Sequence, residues 1–572
     1  MTALRPFALG EVTLGPGLLA DKARLMLDHL RSYDTDRLLR AFRENAGLPT
    51  PDVPRPGGWE DPVGEANGNL RGHYTGHFLS ALAQASASTR DPTYGEKLER
   101  LIAGLAECAD ESGYLAAYPD KQFVVLETMT EADYTVVWAP YYTAHKLVKG
   151  LLDAHLALGE LRPLELAEGM CRWMYERLRR LPPAVLHRMW SLHGSGEYGG
   201  LAETLCDLYS VTGEPDWLDF GRLLDIEPLI SACTEGLDVL DGLHANQHIP
   251  IFTGLVRRFD VTGEDRYLHA AANFWDQIVP GRTYSIGGTS SNEFWGPAGI
   301  IAGSLSETNA ETCCAHNLLK LSRLLFFHLH DPKYVEYYER TLYNQILGSK
   351  QDEFSADRPL TTYFIGLEPG SVRDYLPKAG ATCCEGTGLE SATKYQDFIY
   401  CHSDDGLYVN LYSASSVSWA GVTVIQTTDF PYEQGPTLTF DGAGSFTLHL
   451  RIPAWTSEFQ VTVNGAAVHP DAGSGGYLGI NRVWSTGDTV RVDLPFRVRA
   501  EPTPDGATLS AVMSGPIHLI ALDNRRELLE AAELIPMPGE PLHFLADSIE
   551  FVPFFEGTTH PFHSYVRTAA TP

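Results

Sequence analysis

Thr262-Gly263-Glu264-Asp265 closes one amphipathic run and opens the next. The same punctuation recurs at Asp91-Pro92-Thr93-Tyr94, Gly159-Glu160, Thr212-Gly213-Glu214-Pro215 and Asp331-Pro332-Lys333-Tyr334. Each turn follows an apolar helical pattern and starts a second helix with proline or an acidic residue in its first turn, where both are favoured. The recurrence, roughly every 50 to 70 residues, is the trace of stacked helix pairs. About five or six such pairs suit a closed (α/α)6 barrel, whereas an open solenoid needs capping repeats and none is visible. The pattern reaches back to Leu18, with Leu25, Leu27, Leu30, Leu38 and Leu39 near helical spacing. Residues 48–70, rich in proline, glycine and acid, read as a long loop, and long loops in compact domains are often functional.

Beyond about residue 400 the period changes from helical to alternating. Leu407–Tyr412, Val422–Ile425, Thr437–Phe440, Phe446–Arg451, Phe459–Val463 and Thr489–Leu494 alternate polar and apolar residues, with turn signals at Asn464-Gly465 and Thr486-Gly487-Asp488. The fold class expected is multidomain α+β, an (α/α)6 helical barrel followed by β-sandwich modules. The boundaries expected are an N-terminal extended segment 1–17, a barrel 18–400, a β-sandwich 401–504 and a β-rich segment 505–572. That last segment, with strand-like Leu509–Val512 and Ile517–Ala521, either forms a second small β domain or returns to the barrel.

The chain has 572 residues, 44% hydrophobic and 20% charged, enough apolar material for a large core. Its net charge of -30 argues against nucleic acid and anionic membrane surfaces, which require a basic footprint. The N-terminus lacks a signal-peptide pattern, and no apolar run reaches the roughly 20 residues of a membrane helix. Nine cysteines, an odd number with vicinal pairs, do not form a secreted disulfide framework. Cys108, Cys171, Cys206 and Cys233 lie in helical patterns and read as buried small apolar groups. A reduced, cytoplasmic setting is expected.

Two segments carry the chemistry: Glu311-Thr312-Cys313-Cys314 and Thr382-Cys383-Cys384-Glu385-Gly386-Thr387-Gly388. Thiolates and a carboxylate gathered from two distant points suit tetrahedral zinc, which also pulls a thiol pKa down from roughly 8.5. A Glu311, Cys313, Cys383, Cys384 set supplies four ligands, with Cys314 as an alternative to Cys313; a catalytic zinc stands against the plainer readings of a structural zinc or no metal at all. In Gly287-Gly288-Thr289-Ser290-Ser291-Asn292-Glu293-Phe294-Trp295-Gly296 a single carboxylate sits among aromatics. There a raised pKa and a general-acid role are expected, against the plainer reading of an exposed loop acid. His73, His77, His145, His193, His244 and His248 cluster in the helical half, with two i,i+4 pairs. They lack the His-Glu-x-x-His protease signature and read as the polar lining of a sugar pocket, with Tyr141, Tyr142 and Trp190 as stacking candidates. No nucleotide-binding loop is present.

Glu311–Arg323 and Cys383–Tyr395 resemble the zinc-dependent β-L-arabinofuranosidases of glycoside hydrolase families 127 and 146. Arg71–Ala81, Pro140–Lys146, His244–Pro250, Glu339–Asn344 and Tyr363–Pro369 extend the resemblance, which spans roughly residues 10–500. It implies a barrel followed by β-sandwich modules and a retaining mechanism. Cys383 would be the nucleophile and Glu293 the general acid/base, and Glu311, Cys313, Cys383 and Cys384 would hold Zn2+. His145, His193, His248, Glu339 and Tyr363 would bind the furanose hydroxyls. Cys314 stands where relatives often carry another residue, and the match around His193 is loose, so Glu203 is an alternative pocket acid.

The function expected is an exo-glycosidase releasing β-L-arabinofuranose or a related sugar, with an oligosaccharide or glycoside as partner and a homodimer left open. The alternatives are a carboxylate-driven hydrolase, lyase or epimerase with structural zinc, and a catalytically silent carbohydrate-binding protein.

Overall fold

The structure, a computed structural model, describes residues 3–64, 68–468 and 475–568. The outermost residues of the expected segments 1–17 and 505–572 lie outside that range.

Twelve helices alternate between an outer and an inner ring. They are α1 (Leu18–Ser32), α2 (His73–Thr89), α3 (Pro92–Cys108), α4 (Pro140–Leu158), α5 (Leu161–Leu178), α6 (Leu201–Thr212), α7 (Asp216–Arg222), α8 (Ala245–Thr262), α9 (Asp265–Arg282), α10 (Thr312–Leu329), α11 (Lys333–Thr341) and α12 (Cys383–Ala392). The even-numbered helices touch in sequence and α12 returns to α2, which closes an inner ring; each odd-numbered helix packs outside an inner one. The chain is thus an (α/α)6 barrel followed by β-sheet modules.

Residue type explains the two rings. Inner helix α2 reads His-Tyr-Thr-Gly-His-Phe-Leu-Ser-Ala-Leu-Ala and is buried on nearly every face, as a helix enclosed on both sides must be. Outer helix α5 buries only one stripe, including Leu166, Met170, Cys171 and Met174. The rings close tightly because glycine stands at the α2–α4 crossing. A methyl group at Gly76 would overlap the backbone of Lys146, and one at Gly150 would overlap Gly76 and Leu79. Even a small side chain there would push the helices apart.

Two sheets follow the barrel. The first has eleven strands and takes in Arg5–Pro6 and Val12–Leu14 from the N-terminus, paired with Tyr400–His402 and Ser415–Trp419. The two strand-like runs at 437–440 and 446–451 form one strand, Thr437–Ile452. It pairs with Val422–Thr427 as far as Gly442 and with Gly476–Ser485 from Ala443 onward. Gly442, at φ 114°, makes that change of partner possible without the strain a side chain would meet.

The second sheet has eight strands and begins at Val498–Thr503, ahead of residue 505. Pro504-Asp505 is the tip of a hairpin joining Val498–Thr503 to Gly506–Ser514, so the boundary expected after residue 504 falls within that hairpin. Asp505 accepts from the backbone N–H groups of Ala302 and Gly303, both at 2.8 Å, and ties the hairpin to a barrel loop. Leu509, Ala511, Met513, Ile520 and Phe554 share a buried cluster with Tyr284, Ile286, Ile365 and Leu367 of the barrel loops. The C-terminal segment therefore returns to the barrel and supports the loops that carry the site.

Candidate active site

Both cysteine segments sit at the N-terminal ends of inner helices. Glu311 caps α10, with Cys313 and Cys314 in its first turn. Thr382 caps α12 through a capping box with Glu385, with Cys383 and Cys384 in the first turn. Helix N-termini carry partial positive charge and favour thiolates, so the fold brings four thiols and a carboxylate to two such ends.

The ligand atoms of Glu311, Cys313, Cys383 and Cys384 all lie within 4.8 Å of one another, and all four residues are buried. The Sγ atoms of Cys313 and Cys384 are 3.2 Å apart, those of Cys383 and Cys384 3.9 Å, and Cys384 Sγ lies 3.9 Å from Glu311 Oε1. Cys314 points to the other side of Glu311, its thiol 3.4 Å from Oε2, and stays out of the cluster. Burial pushes Glu311, Cys383 and Cys384 well above their ordinary values. Burial also opposes ionisation of Cys313, yet hydrogen bonds from the thiols of Cys383 and Cys384 draw it down to about 6. Four acids packed into one apolar site cannot all ionise unaided. Three sulfurs and one oxygen at this spacing fit a borderline-soft divalent cation, so the donor set passes the chemical test for a metal site.

Cys383 and Glu311 open onto a cavity of about 120 Å³, lined also by Trp59, Tyr134, Trp138, Tyr142, His193, Glu197, His244, Asn246, Glu293 and Tyr363. Among the described residues no lysine or arginine lines it. Glu293 enters from the loop between α9 and α10. Its backbone and those of Ser290 and Asn292 are left-handed, with φ of 72°, 77° and 48°. Non-glycine residues held there cost of order 1–3 kcal/mol each, and such positions cluster at functional sites. The loop is held by Glu293 O accepting from Ala245 N at 2.7 Å and by Ala310 N donating to Ser290 O at 3.0 Å.

The Glu293 carboxylate accepts from the Tyr363 hydroxyl at 2.5 Å and lies 3.5 Å from His244 Nε2. The Tyr363 hydroxyl is in turn 4.0 Å from Cys383 Sγ. The two legs, 2.5 Å and 4.0 Å, cap the separation of thiol and carboxylate at about 6.5 Å. Burial pushes Glu293 up, but the hydrogen bonds from His244 and Tyr363 outweigh it and hold the carboxyl below its ordinary value. This corrects the raised pKa expected from Phe294 and Trp295. Trp295 turns away, its Nε1 donating to Thr289 Oγ1 at 3.0 Å, and the donors come from distant segments. Burial lowers His244 less than Glu293 and Glu197 raise it, so its net shift is upward.

The remaining expected positions divide. His193 and Tyr363 line the cavity. His145 lies behind Tyr142, in an inner space shared with Lys146, Glu203 and Lys320. Glu203, the alternative acid, is ion-paired there with Lys320 at 2.8 Å. His248 turns back along α8, its Nδ1 2.7 Å from the His244 carbonyl, and His244 at the helix cap reaches the cavity in its place. Glu339 is also corrected. It sits on outer helix α11, where it pairs with buried Arg451 and accepts from Trp455 Nε1 at 2.8 Å, at the junction with the first sheet. An outer-ring side chain facing that junction does not enter the barrel.

Sequence reasoning passed over Trp59, Tyr134, Trp138, Glu197 and Asn246. Trp59 stands in the long loop 48–70, and the rings of Trp59, Trp138, Tyr134 and His193 meet edge-on or tilted around the mouth. Glu197 is partly buried and no hydrogen bond or ion pair reaches its side chain. Burial pushes its carboxyl up to about 7.

Comparison with known proteins gives a consistent result. The catalytic-domain model of the GH127 β-L-arabinofuranosidases matches residues 11–397, and the middle-domain model of the same family matches residues 406–496. A crystal structure of a GH127 β-L-arabinofuranosidase from Geobacillus stearothermophilus T6 is 19% identical, with 98% of this chain and 100% of that one covered and a TM-score of 0.75. A second solved GH127 β-arabinofuranosidase is 18% identical over 100% of this chain and 99% of its own, with a TM-score of 0.77. A structure described as a glycoside hydrolase is 17% identical over 99% and 98%, with a TM-score of 0.74. At these identities the structures establish the fold. Among curated proteins none matches.

Proposed function

The chain belongs to the GH127 β-L-arabinofuranosidase family and is a glycoside hydrolase, and from that premise we propose that it is a retaining exo-enzyme releasing β-L-arabinofuranose through a cysteine nucleophile. The observation that carries this reading is the position of Cys383. It is the one thiol of the buried cluster that lines the cavity, and Glu293 faces it across the Tyr363 hydroxyl. The cap of about 6.5 Å on their separation favours direct attack, since retaining carboxylate pairs stand about 5–5.5 Å apart and inverting pairs about 6.5–9.5 Å. A cavity of about 120 Å³ suits one sugar ring and supports exo action.

Glu311, Cys313, Cys383 and Cys384 would hold Zn2+. When bound, the ion supplies positive charge that keeps the thiols ionised. The Cys383 sulfur attacks the anomeric carbon as the bond to the leaving oxygen breaks, and Glu293 gives that oxygen its proton. His244 Nε2 lies 3.5 Å from the Glu293 carboxylate, close enough to exchange this proton with it; the imidazole is shifted upward and the carboxyl downward. In the second half, Glu293 takes a proton from water, the oxygen attacks the anomeric carbon, and the carbon–sulfur bond breaks to return the Cys383 thiolate. The nine cysteines carry no disulfide, which supports a reducing compartment.

One observation favours a second reading. Glu197 at about 7 and Glu293 below its ordinary value are two carboxyls pushed apart, the pattern of an acid and a base in a carboxylate-driven hydrolase. Turnover of p-nitrophenyl β-L-arabinofuranoside by Cys383→Ser separates the two. Loss of turnover, with a thioglycosyl adduct on the Cys383 peptide of the wild type, supports the first; near-normal turnover ends it.

A further inference from the structure

Glu197 is the one carboxyl of the cavity that the mechanism above leaves without a task. It follows His193 and Gly194 and precedes the Gly199-Gly200 turn into α6. Its carbonyl accepts from Tyr142 N at 3.1 Å, which fixes its backbone against the first turn of α4. Gly199 and Gly200 let this segment lie against the Tyr142 and His145 rings, since a methyl group at either would crowd them. The side chain faces both the cavity of Cys383 and the inner space behind it.

The other two carboxyls of the cavity both have partners. Glu293 has Tyr363 and His244, Glu311 has the thiols, and His244 Nδ1 accepts from Gln247 N at 3.0 Å. Glu197 is the one carboxyl of the cavity with none, although a half-buried carboxyl without one is costly. A group kept in that condition on a cavity wall is one whose partner arrives with the ligand. The titratable groups around it include Glu293, Glu311, Cys383, His193 and His244 in the cavity, with Lys146, Lys149, Lys320, Glu203 and Glu390 on the inner side. Among the described residues no lysine or arginine lines the cavity itself to pair with a uronate or sugar phosphate, and its donors and acceptors suit the hydroxyls of a neutral sugar.

We propose that the Glu197 carboxyl is a specificity-determining residue that accepts hydrogen bonds from ring hydroxyls of a neutral sugar and sets its anomeric carbon against Cys383. This rests on the glycosidase reading of the same cavity. It assigns Glu197 to recognition and leaves proton transfer to Glu293.

The test is a cycle of wild type, Glu197→Gln and Glu197→Ala against p-nitrophenyl β-L-arabinofuranoside and its 2-deoxy, 3-deoxy and 5-deoxy counterparts, with Tm followed by calorimetry. In the wild type, removal of the accepted hydroxyl lowers kcat/KM about 10- to 100-fold, the range for a hydrogen bond to a charged group. In both variants the parent substrate loses a similar factor, and the deoxy penalty at that one hydroxyl shrinks to within about threefold. Variants that act like the wild type overturn the proposal, as does an equal deoxy penalty in all three proteins. An intact deoxy pattern with loss of one limb of the pH profile also overturns it, because Glu197 would then move a proton. A wild type silent on the arabinofuranoside but active on another glycoside defeats the sugar assignment alone, and the same cycle on the deoxy forms of that glycoside then decides for Glu197. A wild type silent on every glycoside that still binds free L-arabinose defeats the catalytic reading. The loss of that binding in Glu197→Ala would support the proposal, and its retention would overturn it.

Discussion

The hydroxyl of Tyr363 donates to the Glu293 carboxylate at 2.5 Å while standing 4.0 Å from the sulfur of Cys383. One phenol thus touches the proposed acid/base and borders the proposed nucleophile. Burial alone would raise Glu293; the donors Tyr363 and His244 reverse that, and removing one of them lets the carboxyl rise.

Tyr363→Phe is therefore expected to move the acidic limb of kcat to higher pH. In the proposed second half-reaction Glu293 must be ionised to take the proton from water, and its ionised form is populated above its pKa. With that pKa raised, activity falls away sooner as pH drops. The expected loss of kcat at neutral pH is smaller than the roughly 10²–10⁴-fold worth of a positioned general base, because the change shifts Glu293 without removing it. A variant whose limb stays at the wild-type pH would show that Tyr363 does not hold the Glu293 charge.

Metal content should separate two adjacent cysteines. Cys313 lies 3.2 Å from Cys384 within the cluster, whereas Cys314 donates to the far oxygen of Glu311. Cys313→Ala and Cys384→Ala are expected to lower bound zinc from about one per chain to a small fraction of that. Cys314→Ala should keep most of it. Elemental analysis after gel filtration reads the outcome, and the reverse order of the two cysteines would exchange their assignments.

Glu339 should prove structural. Its carboxylate pairs with Arg451, a fully buried side chain that also reaches Glu336 at 2.6 Å. Breaking a buried pair on one side costs about 3–5 kcal/mol, because a charge is left without its partner. Glu339→Ala is expected to lower Tm by several degrees with KM unchanged, and the further change Arg451→Met to recover part of the loss. A tenfold rise in KM at unchanged Tm would return Glu339 to the sugar site.

The positions that the structure brings together are those whose chemistry is local. Glu311-x-Cys313 and Cys383-Cys384 each lie within one helical turn, so their spacing survives folding whatever the rest of the chain does. The turns at Thr212 and Thr262 showed helix pairs, and alternation after residue 400 showed strands. Glu339 and His248 were misplaced for a different reason: a motif match does not say which ring of the barrel a helix occupies, nor which way a ring nitrogen turns. The direction of the Glu293 shift was hidden because His244 and Tyr363, 49 residues before it and 70 after, meet it only in the folded barrel. Glu197 carried no motif at all, and only an unpartnered carboxyl on a cavity wall marks it out.

The link between barrel and second sheet makes a prediction for acid stability. Glu501 accepts from Arg340 at 2.7 and 2.9 Å and from Arg499 at 2.7 Å. Burial would raise its carboxyl, but these guanidinium groups pull it down to about 2 from an ordinary 4.5. A folded-state pKa below the unfolded one contributes stability above the unfolded value, and the contribution drains away as pH falls toward the folded one. The shift corresponds to at most about 3 kcal/mol, and solvent screening at a side chain 30% exposed reduces this to about 1–2 kcal/mol. Calorimetry of wild type and Glu501→Gln from pH 7 to 3 should show a Tm gap that is steady above about pH 5 and narrows below about 4.5. Subtracting the two curves removes the titration of other carboxylates, which both proteins share. A gap that stays constant to pH 3 would mean that the Glu501 cluster does not couple this sheet to the barrel through charge.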